Sequence, residues 1–333
     1  MKKFLSLSAL AVCAVITLSA CSAAVPSPFT RSGYLNDHTS KTVSPVTETA
    51  EYAVSYVKNA NVDIGVEFTL DDGASYLKTD LSVVKGDGVK GESGKDYYLF
   101  RTETKIVGTY VIDGTSTPCT SEVSSAVYFG GLSDDLRPAY SERNVLSTTP
   151  KNVDGKYILE TYKFAVSTVY GDGAAKVTVT PEKVADEEYS VSGEYTIEKV
   201  FEKNYIDNEL LLFAPRAMSL SSSLSTTFSS IDALARSLDE LRLVYAKDDV
   251  IKFKSGESKR IYAGSVEEAR TSVKVVSLTL SKNSTYAGAA QTLSFAAADD
   301  QNEYSRLIKL SYPAAYSTGT FDFIIRSSSI SFH

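Results

Sequence analysis

The sequence predicts an all-β body: a curved antiparallel sheet or open half-barrel with one or two short helices. Three observations carry this reading. Apolar and polar residues alternate over much of the chain. Val, Thr, Ser and Tyr are plentiful, with 21 Tyr, 14 Phe and no Trp. Gly- and Asp-rich turn signals separate the alternating runs. A strand with one dry face needs this period of two, because successive side chains point to opposite faces.

Tyr52, Val54 and Tyr56 alternate with Glu51, Ala53 and Ser55. Val62, Ile64, Val66, Phe68 and Leu70 follow the same rule. Asp71-Asp72-Gly73 then marks a turn, from which Leu77, Thr79, Leu81 and Val83 return. Residues 86–95 read as a Gly/Asp/Lys loop, and 96–112 as a long strand or a hairpin. The clearest hairpin passes from Tyr162, Phe164, Val166, Thr168 and Tyr170 through Gly171-Asp172-Gly173 to Val177 and Val179. Further strands are expected at 194–201, 241–245, 250–254, 272–280, 291–296, 306–312 and 319–325. One helix is expected over 230–241, where Ile231, Leu234, Leu238 and Leu241 share a face, Ser230 can cap and Asp232 suits the first turn. The serine-rich stretch 218–230 reads as a loop or irregular strand.

The N-terminus reads as an export signal. Lys2 and Lys3 precede an almost wholly apolar or small run over 4–17, too short to span a bilayer core of roughly 30 Å as a stable helix. Leu18-Ser19-Ala20-Cys21 resembles the lipobox of bacterial lipoproteins. That resemblance implies lipid attachment at Cys21, cleavage just before it, and a membrane-anchored mature chain. Residues 1–20 are thus assigned as signal peptide and 21–46, rich in Ser, Thr, Pro and Ala, as lipidated N-terminus and flexible tether. The body spans 47–333. A division into halves near 47–200 and 201–333 is the alternative to one continuous unit.

Charge and residue types narrow the chemistry. Loss of residues 1–20 removes Lys2 and Lys3 and no acid, moving the formal charge from −7 to −9. A net acidic body argues against nucleic acid as partner. The body keeps one cysteine, Cys119, in the polar, turn-like Thr117-Pro118-Cys119-Thr120. The chain's two histidines are His38, in the tether, and His333, at the last position. A Cys–His or Ser–His nucleophile and a His/Cys metal site are therefore not expected, and no cofactor motif occurs. Acidic pairs at 71–72, 134–135, 187–188, 248–249 and 299–300 could serve carboxylate chemistry, but they read as turn residues. Ser55-Tyr56-Val57-Lys58 and Ser82-Val83-Val84-Lys85 match Ser-x-x-Lys, yet both lie in strand-like sequence, where the first and fourth positions face opposite ways.

The C-terminal half carries a resemblance. Asn208-Glu209-Leu210-Leu211-Leu212-Phe213-Ala214-Pro215-Arg216-Ala217 precedes expected hairpins containing Gln291-Thr292-Leu293-Ser294-Phe295, Ala298-Asp299-Asp300 and Arg306-Leu307-Ile308-Lys309-Leu310. This order resembles a family of uncharacterised bacterial envelope domains with a strongly curved antiparallel sheet, of lipoprotein-carrier-like, half-barrel architecture. The resemblance covers roughly residues 195–325. The chain departs from it in lacking Trp in the late strands and in the serine-rich stretch. It implies a fold, an envelope location and hydrophobic-ligand handling, and it brings no catalytic residues.

The expected function is non-catalytic binding of an apolar ligand or a partner segment, such as part of an envelope protein. The candidate ligand-facing residues are Tyr162, Phe164, Val166 and Tyr170 on one strand and Phe321, Phe323 and Ile325 on another. A surface interaction module with a packed core is the first alternative, and a carboxylate-dependent envelope hydrolase the second. Replacing Cys21 with Ser is expected to abolish lipid attachment, because only a thiol can form the thioether. Metabolic labelling with a tagged fatty acid checks this; label retained on the variant refutes the assignment.

Overall fold

The computed structural model describes residues 27–29, 43, 45–131, 134–171, 173–184, 187–188, 193–198, 205–233, 237–252, 270–280, 291–296 and 305–332. The strands are β1 (Val46–Lys58), β2 (Val66–Leu70), β3 (Tyr76–Lys85), β4 (Asp96–Ile112), β5 (Thr115–Phe129) and β6 (Pro138–Val153). They continue with β7 (Lys156–Gly171), β8 (Ala174–Val184), β9 (Glu187–Glu188), β10 (Gly193–Glu198), β11 (Tyr205–Asp207) and β12 (Ser225–Asp232). The last are β13 (Ser237–Lys252), β14 (Arg270–Leu280), β15 (Gln291–Ala296), β16 (Leu307–Pro313) and β17 (Gly319–Phe332). All belong to one curved, almost entirely antiparallel sheet that does not close into a barrel. Among the described residues the helical content is 3-10 turns at Asn208–Leu210, Ala214–Ala217 and Ala315–Ser317.

The sheet consists of two meanders, β3 to β8 and β12 to β17, each built from sequential antiparallel neighbours. β1 joins them: it pairs with β3 on one side and with β17 on the other. The β1–β17 ladder runs from Val46 opposite Phe332 to Lys58 opposite Gly319, with a bulge at Glu51/Tyr52. Gly319 makes room for the Tyr56 ring, since a Cβ there would lie 2.4 Å from Tyr56 Cζ.

Four expectations change. Asp71-Asp72-Gly73 does not reverse the chain: β2 and β3 run in the same direction, end to end along β4. The Asp71 side chain instead accepts the Ala74 N–H, while the Ser75 hydroxyl and the Asp71 N–H splice the interruption onto Val107. Residues 230–241 form no helix: Ile231 ends β12 opposite Leu238 in β13, and Phe228 faces Leu241. A spacing of seven reads equally as two helical turns or as a cross-strand pair around a hairpin turn. The strands expected at 241–245 and 250–254 run together, as far as Lys252, in one strand, β13, with a bulge between Tyr245 and Lys247, so Asp248-Asp249 lies within a strand; residues 253–254 lie outside the described residues. Cys119 and Pro118 also sit inside a strand, β5, where β6 has not yet begun to pair and Pro's missing N–H suits an edge.

One face of the sheet is apolar and wraps around the chain's own segment 206–220. Leu210, Phe213, Ala214, Ala217 and Met218 are fully buried there. The Phe213 ring meets Phe129 and Phe100 at centroid distances of 5.2 and 5.5 Å. Phe29 joins the same cluster against Phe228, so part of the stretch read as tether is docked in the core. A second cluster holds Val145, Phe164, Val166, Ala175, Val177, Tyr205 and Ile231. Each large apolar side chain buried this way contributes about 1.5–3 kcal/mol.

Arg216 pins the inner segment to β1. Its Nη1 and Nη2 donate to Glu48 Oε1 and Oε2 at 3.0 and 2.8 Å, with both side chains under a tenth exposed. Arg306 Nε lies 4.0 Å from the same carboxylate, and Arg306 Nη1 donates to Ser328 Oγ at 2.6 Å. Removing one member of such a pair leaves a buried charge uncompensated. Arg216→Ala is therefore expected to cost about 3–5 kcal/mol in urea unfolding, with Glu48→Gln in the same background recovering part of the loss. A single-variant loss below about 1 kcal/mol would show that the pair is not structural.

Candidate functional site

The opposite face of the sheet is polar, and its register builds a trough. Two rows of outward residues cross β17, β1, β3, β4, β5 and β6. One row is Ser329, Thr49, Asp80, Arg101, Ala126 and Glu142; the next is Ser327, Glu51, Lys78, Glu103, Ser124 and Asn144. All twelve line a concavity of about 680 Å³. At a strand spacing of about 4.8 Å, six strands give a trough roughly 24 Å long, the reach of about seven extended residues. A second concavity of about 330 Å³ continues it across β7 and β8, past Lys105, Glu122, Lys163 and Glu182.

The trough is charged and internally ordered. Its lining holds four carboxylates (Glu51, Asp80, Glu103 and Glu142) against two cations, Lys78 and Arg101. Arg101 Nη1 lies 3.3 Å from Asp80 Oδ1, and Arg326 Nη1 lies 3.8 Å from Glu51 Oε1. The Tyr76 hydroxyl donates to Glu103, which pushes that phenol up to about 12, with desolvation and the carboxylate's charge adding to the shift. Lys78 Nζ sits 4.4 Å above the Tyr76 ring, and the Thr49 and Ser329 hydroxyls share a hydrogen bond of 2.8 Å. Exposed pairs of this kind contribute little to stability. Their effect is to hold the side chains in a fixed pattern along the floor.

The residues expected to face a ligand lie on the other side. Phe321, Phe323 and Ile325 are buried in the large cluster beside β1. Phe164, Val166 and Tyr170 are buried in the second cluster, with Tyr162 half-buried against it. The two sets therefore sit in separate packed clusters among the described residues. Cys21, His38, His333 and the pair 299–300 lie outside the described residues. Cys119 is buried opposite Gly108, and burial pushes its thiol up. Both Ser-x-x-Lys lysines sit at strand ends in surface ion pairs, Lys58 with Glu67 and Lys85 with Asp96. Among the described residues no group of three or more His, Cys, Asp or Glu side chains is placed to hold a metal ion, and no helix is long and apolar enough to cross a membrane.

The signal for the trough was present as the polar half of each alternation, such as Thr49 and Glu51, or Arg101 and Glu103. Periodicity marks these positions as outward. It does not say which strands become neighbours.

A buried acid lies where the inner segment leaves the sheet. Asp207 is 3% exposed; its Oδ1 accepts the Glu209 N–H at 2.8 Å and its Oδ2 accepts the Tyr170 hydroxyl. Burial, with the Glu209 charge adding to it, raises this carboxyl to about 6. Burial and the same carboxylate push the Tyr170 phenol well above its usual range.

Comparisons with protein-family models, curated proteins and solved structures return no match.

Because the folded state holds the Asp207 proton more tightly than the unfolded chain does, its contribution is fully present below about pH 4 and is lost as pH rises through about 6. Asp207→Asn keeps an oxygen to accept the Glu209 N–H, turns an amide N–H toward the Tyr170 oxygen, and removes the titration. Relative to wild type, the variant should gain stability between pH 4 and 7, by on the order of 3 kcal/mol. Urea melts at a series of pH values check this, and parallel curves for the two proteins would contradict it.

Proposed function

We infer that this chain is an exported, non-catalytic binding protein, lipid-anchored through Cys21, whose working surface is the polar trough. The occupant we assign is an extended, lysine-bearing segment of another envelope protein. The observation that carries this reading is the division of labour between the faces: the chain fills its own apolar side with segment 206–220, while the 680 Å³ concavity lies on the polar side. Its length suits an extended segment, and its excess of carboxylates suits a cationic one. The charged leader and Leu18-Ser19-Ala20-Cys21 support the anchor and the envelope location.

A fluorescein-labelled peptide of alternating Lys and Ser should bind the full chain in an anisotropy titration, and its Glu/Ser counterpart should not. Binding should weaken as salt rises, since the groups involved are exposed. Glu51→Gln combined with Glu103→Gln should weaken it about tenfold or more while leaving the fold intact. Uptake of a fluorescent fatty acid, with no binding of the cationic peptide, would overturn this reading in favour of an apolar-ligand carrier.

A further inference from the structure

One more row of the polar face lies beside the trough, and loop 86–95 covers it. Leu99, Tyr128 and Tyr140 follow one another across β4, β5 and β6, one step along the strands from Arg101, Ala126 and Glu142. The Tyr128 and Tyr140 rings stand edge to face at 5.8 Å. Lys90, from the loop, places its Nζ 5.0 Å from the Tyr140 centroid and 5.6 Å from that of Tyr128. The same ammonium donates to Glu142 Oε2 at 3.1 Å, and the Tyr140 hydroxyl donates to that oxygen at 3.1 Å. Burial alone would lower the Lys90 ammonium, but the hydrogen bond and charge of Glu142 outweigh it and hold the group above its ordinary range. Two aromatic faces and a carboxylate around a cation form an aromatic cage, the arrangement by which proteins recognise lysine-type and quaternary ammonium groups.

The loop is built as a separate piece laid on this face. Its ends meet through Gly86 N to Lys95 O and Gly94 N to Gly86 O, both 2.9 Å. Asp87 Oδ1 accepts the Val89 and Lys90 N–H groups at 2.8 and 2.7 Å, so the loop's tip holds its own shape. Gly88 and Gly91 adopt φ +94°, and a Cβ on Gly91 would lie 2.5 Å from the Tyr97 ring beneath it. The loop separates the trough, which reaches Glu142, from a concavity of about 400 Å³ lined by Gly88, Gly91, Tyr97 and Val169.

We propose that Tyr128, Tyr140 and Glu142 form a recognition subsite for the ammonium of a bound segment's lysine, kept filled by Lys90 until that ammonium takes its place. This deepens the trough reading and rests on it for the source of the ammonium. Recognition of ammonium as a chemical group stands on the cage alone. Displacement of Lys90 removes the loop's contact with Tyr128, Tyr140 and Glu142 and opens that row to the segment, while the loop stays seated through the Glu92 N–H on the Tyr97 hydroxyl.

The test titrates tetramethylammonium chloride into the full chain, wild type and Lys90→Ala, reading tyrosine fluorescence against a sodium chloride control. Lys90→Ala, which vacates the cage, should reach half-saturation at a concentration at least about tenfold lower than wild type. Glu142→Gln or Tyr128→Leu in the Lys90→Ala background should abolish the gain, and circular dichroism identifies any variant that has not folded. Should Tyr128→Leu fail to fold, Glu142→Gln decides alone. Absence of binding by folded Lys90→Ala beyond the salt control, or equal binding when Glu142 is neutralised, overturns the proposal. The Lys/Ser peptide separates the two readings. Ammonium binding to Lys90→Ala without peptide binding upholds the cage and removes the trough's occupant. Peptide binding lost with Glu51→Gln and Glu103→Gln but indifferent to Lys90 and Glu142 upholds the trough and removes the cage.

Discussion

A sheet this large presents more apolar surface on one face than water tolerates, and the fold depends on how that face is covered. Here the chain covers it with itself. Segment 206–220 leaves the short parallel strand β11, makes two 3-10 turns, and carries Leu210, Phe213 and Met218 into the concave side. Local chemistry shapes both turns. Asp207 accepts from the Glu209 N–H at the first, and Pro215 stands at the start of the second, where a missing N–H breaks no hydrogen bond. Arg216 carries a charge into the interior, and its bidentate contact with Glu48 sets the depth and orientation of the segment against β1.

Filling the inner face releases the outer one. The two outward rows that line the trough need no apolar cover, and apart from Ala126 they carry Ser, Thr, Asn and charged side chains. Small residues such as Ser124, Ala126, Ser327 and Ser329 form part of the trough's lining. Longer charged side chains are held in cross-strand pairs, as with Arg101 and Asp80. The twist inherent in long strands makes such a sheet saddle-shaped, so its outer face is concave in one direction even as the sheet bends around its contents.

Much of this was legible in the sequence, for definable reasons. Strand β15 occupies the residues the alternation marks, and β7, Gly171, Gly173 and β8 form the expected hairpin. Local pattern failed where a distant strand decided the outcome. Asp71-Asp72-Gly73 has turn chemistry, yet the 17-residue β4 is long enough to pair with β2 and β3 in line, so the chain continues straight. Ile231 and Leu238 satisfy helical spacing and hairpin pairing alike, and β14 on the far side of β13 favours the hairpin. The trough was hidden for the same reason. Thr49 and Ser329 meet only because the first strand pairs with the last, a fact no periodicity contains. Leu210 and Phe213 were visible as an apolar run, but their place inside the sheet follows from curvature, which emerges only once the strands assemble.

The ladder between β1 and β17 governs how this molecule comes into being. Each meander is assembled from neighbours close in the chain, so its contacts are local and form early. β1 is made first, yet one side of it waits for residues 319–332, almost the whole chain later. Until then it presents an open row of backbone donors and acceptors, as does the unfinished second meander. Docking of the two meanders along one thirteen-residue strand therefore has to wait until residues 319–332 have been synthesised. A chain stopped short of β17 would keep two exposed strand edges ready to recruit one another between molecules. The fourteen residues of β17 thus act as the safeguard against self-association as much as the final piece of the sheet.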